Sequence, residues 1–202
     1  MTILLVGGGP DTVTTAAVFD RFVREVRHRA SGRVPRVAVV LFDHEGSSEY
    51  FLPAYVDPLQ SRTACEVVPV LLGFNRGADP AVFDDVDGIV VGGGPTPGYL
   101  EGLLPSAQPI RRLVSDGVPY MGFSAGAMVA PVRAIVGGYR IRGTGNATRT
   151  DYATTVVMYR PGFRGEGLRL AHDLRLKAVG PLDGLKPAAL HGAQLVVLVG
   201  AA

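Results

Sequence analysis

The sequence predicts a three-layer α/β sandwich in which helices cover both faces of a mostly parallel central sheet. Short apolar runs that end in glycine alternate with longer segments of helical periodicity, a pattern typical of such a sheet. The length of 202 residues fits a single domain over 1–202 with a substantial core. Hydrophobic residues make up 47% and charged residues 19%, a balance that excludes a disordered chain.

The order of the predicted elements follows from the change between the two kinds of periodicity. Strands are predicted over 3–6, 37–42, 65–72, 88–91, 120–123 and 194–199. Helices are predicted over about 12–29, 47–60, 99–104, 110–115 and 125–132. Asp11 is available to cap the first helix, and Pro53 and Pro58 are expected to shorten or bend the second. Residues 134–141 resemble a hairpin, and the pattern weakens after Gly143.

Composition excludes several classes of function. The net charge of +2 is too small to indicate a nucleic-acid partner, and the arginines of residues 21–36 have the spacing of a solvated helix face. Cys65 is the single cysteine, so neither an intrachain disulfide nor a cysteine-based metal site is expected. The first residues lack the basic start of a signal peptide, and no apolar run approaches the ~18 residues of a membrane span. A soluble, cytoplasmic protein is predicted.

Residues 122–126 form a G-x-S-x-G sequence between a predicted strand and a predicted helix. In this context a tight turn lifts the serine oxygen above the strand ends, and the flanking glycines leave room for it. The helix that starts at Ala125 directs free N–H groups toward Ser124, where they can bind an oxyanion. Ser124 is therefore the candidate nucleophile. The alternative interpretation is a small serine in a strand-to-helix turn.

A second glycine-rich turn, residues 92–96, follows the neighbouring predicted strand. Successive glycines let the backbone approach a ligand closely, and one of their N–H groups can supply a second oxyanion donor. An ordinary Gly-Pro turn is the alternative here. Residues 7–12 also follow a strand, but they lack the third glycine of a dinucleotide fingerprint, so no cofactor is predicted. The triplet Asp43-His44-Glu45 has no partner at ligand spacing, and no metal is predicted.

Together, the two segments resemble one known family. The sequences V-V-G-G-G-P-T-P-G-Y-L at 90–100 and Y-M-G-F-S-A-G-A-M-V-A at 120–130 are similar to the dipeptidase E and cyanophycinase family of serine peptidases. That family has the class I glutamine amidotransferase-like fold, a flavodoxin-like architecture, with serine where the amidotransferases carry cysteine. The resemblance covers roughly residues 1–142, and residues 143–202 form a divergent C-terminal part.

The resemblance implies a Ser-His-acid triad with Ser124 as nucleophile and the amides of Ala125 and Gly94 as the oxyanion hole. A serine hydroxyl needs a neighbouring base, and the spacing within the family favours His172, with Asp151 as the acid that orients it. Four other histidine and carboxylate candidates follow Ser124 or precede it. They are His191 and His44 for the base, and Glu166 and Asp173 for the acid. His28 is assigned to the end of a charged helix.

The family also implies the kind of substrate, a small peptide. Some members prefer an acidic residue, which an arginine such as Arg140 or Arg142 would pair with. Thr96, in the glycine turn, is assigned with Arg140 to substrate binding, and a homodimer is left open. Two other functions stay open: a non-catalytic binding domain that has lost its base, and an esterase of the α/β-hydrolase type.

Overall fold

The computed structural model describes residues 1–12, 15–131, 134 and 168, and the backbone of 188–190 and 193–198. Strands and helices alternate along it, which confirms the predicted α/β class. The strands are β1 Thr2–Val6, β2 Arg36–Phe42, β3 Glu66–Leu72, β4 Gly88–Val91, β5 Tyr120–Phe123, β6 Ala188–Leu190 and β7 Ala193–Leu198. The helices are α1 Ala16–Ala30, α2 Ser47–Gln60, α3 Thr96–Leu103, α4 Ala107–Ser115 and α5 Ala125–Val129.

The strands form one sheet in the order β3-β2-β4-β5-β1-β7-β6. Neighbours are parallel except for β6, which runs antiparallel to β7. Gly122 of β5 is paired with Val91 of β4 on one side and with Leu5 of β1 on the other. The turns that follow these three strands therefore meet at one edge of the sheet, where ligands bind in open α/β folds.

Two apolar layers, one on each face of the sheet, hold the helices in place. On one face α1 and α2 bury side chains such as Phe19, Phe22 and Leu59 against the sheet. On the other face α3, α4 and α5 do the same with residues such as Leu103 and Val129. Strands buried on both faces consist of apolar runs without alternation, as β1 and β4 do here. The three-layer arrangement is therefore the predicted one.

Some element boundaries differ from those expected. Helix α1 begins at Ala16 rather than near residue 12, and its N-cap position is Thr15, so the expectation that Asp11 is the cap residue is wrong. Helix α2 extends over Ser47–Gln60 with both prolines inside it, so the prolines do not shorten it, and the alternative that they bend it stays a prediction. Strand β6 was not predicted. The residues expected to form a hairpin lie, apart from Ala134, outside the described residues.

No helix in the described part of the chain is both long enough and apolar enough to cross a membrane.

Candidate active site

Ser124 lies between the end of β5 and the start of α5, half-buried at the edge where the strand ends meet. Its backbone angles are φ 47° and ψ −106°. A positive φ is rare for residues other than glycine and costs about 1–3 kcal/mol, so it persists only where the surrounding structure enforces it. The turn therefore holds Ser124 in a strained conformation, as expected for a nucleophile elbow.

The flanking glycines are required because the backbone is crowded on both sides of Ser124. A Cβ atom built on Gly122 would lie 2.5 Å from the carbonyl oxygen of Gly126. A Cβ atom on Gly126 would overlap the carbonyl oxygen of Val91 and lie 2.8 Å from its carbonyl carbon. Real Cβ atoms do not approach other atoms so closely. The G-x-S-x-G pattern thus has a steric cause that involves both β5 and the neighbouring β4.

Three hydrogen bonds fix the elbow to its surroundings. The Ser124 N–H donates to the carbonyl of Val6 in β1 over 2.8 Å, and the Gly126 N–H donates to the carbonyl of Gly92 over 3.1 Å. The buried hydroxyl of Tyr120 donates to the carbonyl of Gly126 over 2.7 Å. Strands on both sides of β5 therefore support the position of Ser124.

The glycine turn after β4 lies directly beside Ser124. A Cβ atom built on Gly93 would be 3.2 Å from the Ser124 Cβ and 3.8 Å from its Oγ. The Gly93 N–H donates to the Tyr55 hydroxyl over 2.9 Å, and the Gly93 carbonyl accepts from the Tyr99 hydroxyl over 3.1 Å. The structure therefore brings together the two segments that the sequence suggested, and tyrosine hydroxyls hold both polar groups of Gly93.

Two amides near Ser124 are left as hydrogen-bond donors. Considering only bonds between described residues, neither the Gly94 N–H nor the Ala125 N–H donates to a protein acceptor. Gly94 is exposed, whereas Ala125 is the first residue of α5, where a helix has no internal acceptor for its N–H groups. These are the residues predicted as oxyanion donors. Both N–H groups are available to donate hydrogen bonds to a negatively charged oxygen beside the Ser124 hydroxyl.

Of the other residues assigned to the site, only Thr96 is among the residues that the structure describes. Thr96 is the first residue of α3 and only 5% exposed, so its assignment to substrate binding stays a prediction. His172, Asp151 and Arg140 lie outside the described residues, as do the alternative candidates for their roles. Those alternatives are His191, Glu166, Asp173 and Arg142.

The two histidines that precede Ser124 are described. His44 is exposed at the end of β2, with its ring 5.7 Å from that of Phe74 in an edge-to-face contact. Because β2 is two strands away from β5 in the sheet, about 10 Å separates the two strand axes. His28 belongs to the last turn of α1. Over the described residues, no three His, Cys, Asp or Glu side chains form a group suited to a metal ion.

Sequence reasoning missed the buried tyrosines that support the site. Burial raises the pKa of the Tyr55, Tyr99 and Tyr120 hydroxyls above the usual value. All three therefore stay protonated across the ordinary working range. Tyr99 lies a few residues after the glycine turn and Tyr120 two residues before the G-x-S-x-G sequence, so both stand near a motif that could have pointed to them, whereas Tyr55 does not.

No curated protein matches the sequence. Among solved structures, a candidate peptidase E protein from Listeria monocytogenes EGD-e is similar, with 17% identity and a TM-score of 0.46. That similarity covers 74% of this chain and 71% of the Listeria chain.

The family model of peptidase family S51 matches residues 65–167. The match includes the glycine turn, the elbow and Asp151, and it ends before His172. It confirms the family resemblance that the two motifs indicated. Because it spans just over half of the 202 residues, the chain belongs to peptidase family S51, the dipeptidase E family.

Proposed function

We propose that the chain hydrolyses amide bonds of small peptides through an acyl-enzyme on Ser124. The observation that carries the proposal is the strained conformation of Ser124 beside the amides of Gly94 and Ala125, which have no protein acceptor among the described residues. Strain of this kind is expected where a reactive group must be presented. Membership of a peptidase family supports the same conclusion.

The proposed reaction has two stages. The Ser124 Oγ attacks the carbonyl carbon of the substrate while His172 accepts the hydroxyl proton. The carbonyl oxygen becomes an oxyanion and accepts hydrogen bonds from the Gly94 and Ala125 N–H groups. The C–N bond then breaks as His172 returns the proton to the leaving amine. A water molecule, deprotonated by His172, then attacks the resulting ester, and His172 returns the proton to the Ser124 Oγ as the acid product leaves. Asp151 orients the imidazole throughout.

The assignment of His172 as base is supported by where the chain is held just before it. Leu168 is buried; its N–H donates to the carbonyl of Val129 over 2.8 Å, and its carbonyl accepts from Arg111 over 3.4 Å. Val129 ends α5, about 7.5 Å along the helix from Ser124. Four residues of extended chain span up to about 14 Å, so the chain after Leu168 is long enough for residue 172 to reach a position beside Ser124.

For the substrate, we propose a small peptide with an acidic residue. Arg140 would pair with the carboxylate of that residue, since a guanidinium offers two parallel donors to a carboxylate. The turn that contains Thr96 would line the same crevice, although the Thr96 side chain is itself buried.

A second candidate function is a binding domain that keeps the elbow without a base. It is favoured by one observation, that the family match stops before His172. An α/β-hydrolase type of esterase is a weaker alternative, because membership of a peptidase family gives no support for it.

A fluorophosphonate probe decides between these functions. The probe reacts with an activated serine, so we expect it to label the wild-type chain and the control Ser115→Ala, which alters an exposed serine at the end of α4. Labelling should disappear in Ser124→Ala and fall at least ~100-fold in His172→Ala. Asp151→Asn should lose a comparable factor through the misoriented imidazole.

Dipeptides and tripeptides with and without an N-terminal acidic residue are then incubated with the wild type and analysed by mass spectrometry. Cleavage that depends on Ser124 supports the peptidase. Absence of wild-type labelling and cleavage would instead favour the binding domain, whereas turnover of p-nitrophenyl acetate without peptide cleavage would favour the esterase. If labelling of His172→Ala is unchanged, the base is another histidine.

A further inference from the structure

We propose that Tyr99 is a positioning residue of the oxyanion hole, whose hydroxyl fixes the peptide between Gly93 and Gly94 and thereby directs the Gly94 N–H. This inference rests on the proposed function and adds a residue to it. The hydroxyl of Tyr99 donates to the carbonyl oxygen of Gly93 over 3.1 Å. That carbonyl and the Gly94 N–H belong to the same peptide group.

The planarity of the peptide group links the two ends. In a trans peptide the C=O and the N–H point in opposite directions from one rigid plane, and no cis peptide is present among the described residues. Fixing the Gly93 oxygen on the Tyr99 side therefore turns the Gly94 N–H to the other side. Gly93 itself packs against Ser124.

The direction of the Tyr99 proton is determined by its second partner. The Phe42 N–H donates to the Tyr99 hydroxyl oxygen over 3.0 Å, so that oxygen acts as acceptor toward β2. A phenol has one proton, and the Gly93 carbonyl, which can only accept, receives it. Burial, which raises the pKa of Tyr99, keeps this proton in place.

The ring of Tyr99 restrains the other end of the same peptide. Gly94 adopts φ +150°, and a Cβ atom built there would be 3.2 Å from the Tyr99 Cε2. Adjacent glycines alone would sample many conformations, because they carry no side chain that limits the backbone, and the nearby Tyr99 ring reduces the space open to Gly94. Tyr99, fully buried, therefore supplies the rigidity that Gly93 and Gly94 lack.

The neighbouring Tyr55 has a different effect on the same turn. Its hydroxyl accepts from the Gly93 N–H, which belongs to the peptide between Gly92 and Gly93. That bond removes the Gly93 N–H from the set of free donors and leaves the Gly94 N–H to face the substrate. The bond made by Tyr99 is the one that acts on the peptide of the proposed donor.

The test compares Tyr99→Phe with Leu103→Ala. Leu103 lies in the same helix and the same core cluster, so its truncation reports destabilisation alone. Each folded variant is assayed for kcat, KM and the inhibition constant of a peptide aldehyde, whose tetrahedral adduct on Ser124 places an oxygen in the oxyanion hole. Removing a whole oxyanion donor costs about 100–1000-fold in kcat, and misdirecting one should cost about 10-fold or more.

For Tyr99→Phe we expect that loss in kcat, a KM within about twofold of wild type, and an aldehyde affinity weakened by the same factor as kcat, because the interaction is made only in the tetrahedral state. Leu103→Ala should have a lower unfolding midpoint and unchanged kinetics. If Tyr99→Phe does not fold, Tyr99→4-fluorophenylalanine fills the space of the hydroxyl without its proton and should show the same losses.

The outcomes separate the two proposals. A wild type that cleaves no peptide overturns the proposed function, and the role of Tyr99 with it. A wild type that cleaves peptides, together with a Tyr99 variant whose kcat and aldehyde affinity match those of Leu103→Ala, overturns the role of Tyr99 alone.

Discussion

At the scale of single residues, Gly126 shows how closely the elbow is packed against the next strand. We expect Gly126→Ala to lose about 1–3 kcal/mol of stability or more, because the added methyl group overlaps the Val91 carbonyl of β4. The Gly126 N–H is also bonded to the Gly92 carbonyl, so the helix cannot withdraw without breaking that bond. Urea unfolding measures the loss.

The matched control is Gly9→Ala. Gly9 is exposed in the turn after β1, and a Cβ atom built there has no neighbour within 4 Å, so the change should stay within about 0.5 kcal/mol. Fluorophosphonate labelling of Ser124 should fall in Gly126→Ala and persist in Gly9→Ala. Equal stability and equal labelling of the two variants would contradict the steric argument.

The same scale shows which site residues a sequence can reveal. The G-x-S-x-G turn was predictable because its sequence signature is local: a strand, a tight turn and a helix within a few residues. The role of Tyr55 and the second bond of Tyr99 were not predictable, because the partners are distant in sequence. Tyr99 bonds to Phe42, 57 positions away, and Tyr55 to Gly93, 38 positions away. Only the order of the strands in the sheet brings such pairs together.

At the scale of elements, α2 carries a proline that its helical conformation does not favour. Pro53 is exposed and lies in the interior of Ser47–Gln60, where it cannot donate the N–H that would pair with the Glu49 carbonyl. We expect Pro53→Ala to raise the free energy of unfolding by about 1–2 kcal/mol. The restored bond and the removed ring clash favour the folded state, and the greater freedom of the unfolded chain offsets part of the gain.

Pro58 provides the contrast. It belongs to the same helix but is buried, so Pro58→Ala also removes packing and should gain less or lose stability. Thermal unfolding of both variants measures the difference. A Pro53→Ala variant less stable than wild type would indicate that the proline is needed for the position of α2.

The element boundaries show which features of the fold local sequence patterns predict and which they do not. Strands β4 and β5 were predicted at the residues where they occur, since both are short apolar runs bounded by glycine or proline. The start of α1 was not, because Thr12 and the residues after it fit a helical pattern although the helix begins at Ala16. Tertiary packing against the sheet decides such cases, and propensity alone is a weak guide. The three residues of β6 are too few to give a recognisable strand pattern, and the strand is defined by its antiparallel pairing with β7.

At the scale of the whole molecule, the carboxyl ends and the amino ends of the strands have different roles. The candidate active site lies where the strands end, whereas two ion pairs, Arg33–Asp87 and Arg36–Glu66, lie where they begin. Asp87 is 1% exposed just before β4, and its carboxylate accepts from both terminal nitrogens of Arg33, over 2.6 and 2.5 Å. It also accepts from the Arg36 N–H over 2.9 Å. These bonds join the start of β2 to the start of β4.

Asp87→Ala should therefore reduce stability without altering chemistry at Ser124. We expect a loss of about 2–3 kcal/mol, since three charge-assisted hydrogen bonds disappear while the half-exposed Arg33 regains water. Glu66→Ala, which breaks an exposed ion pair with Arg36 at the same edge, should cost no more than about 1 kcal/mol. The four residues of β4 separate Asp87 from the glycine turn, a distance of about 16 Å from Asp87 to Gly92. Ser124 labelling per folded molecule, measured below the unfolding transition, should accordingly equal that of wild type in both variants. A labelling rate that falls with Asp87→Ala while the chain is still folded would show that the two ends of the strands are coupled through β4.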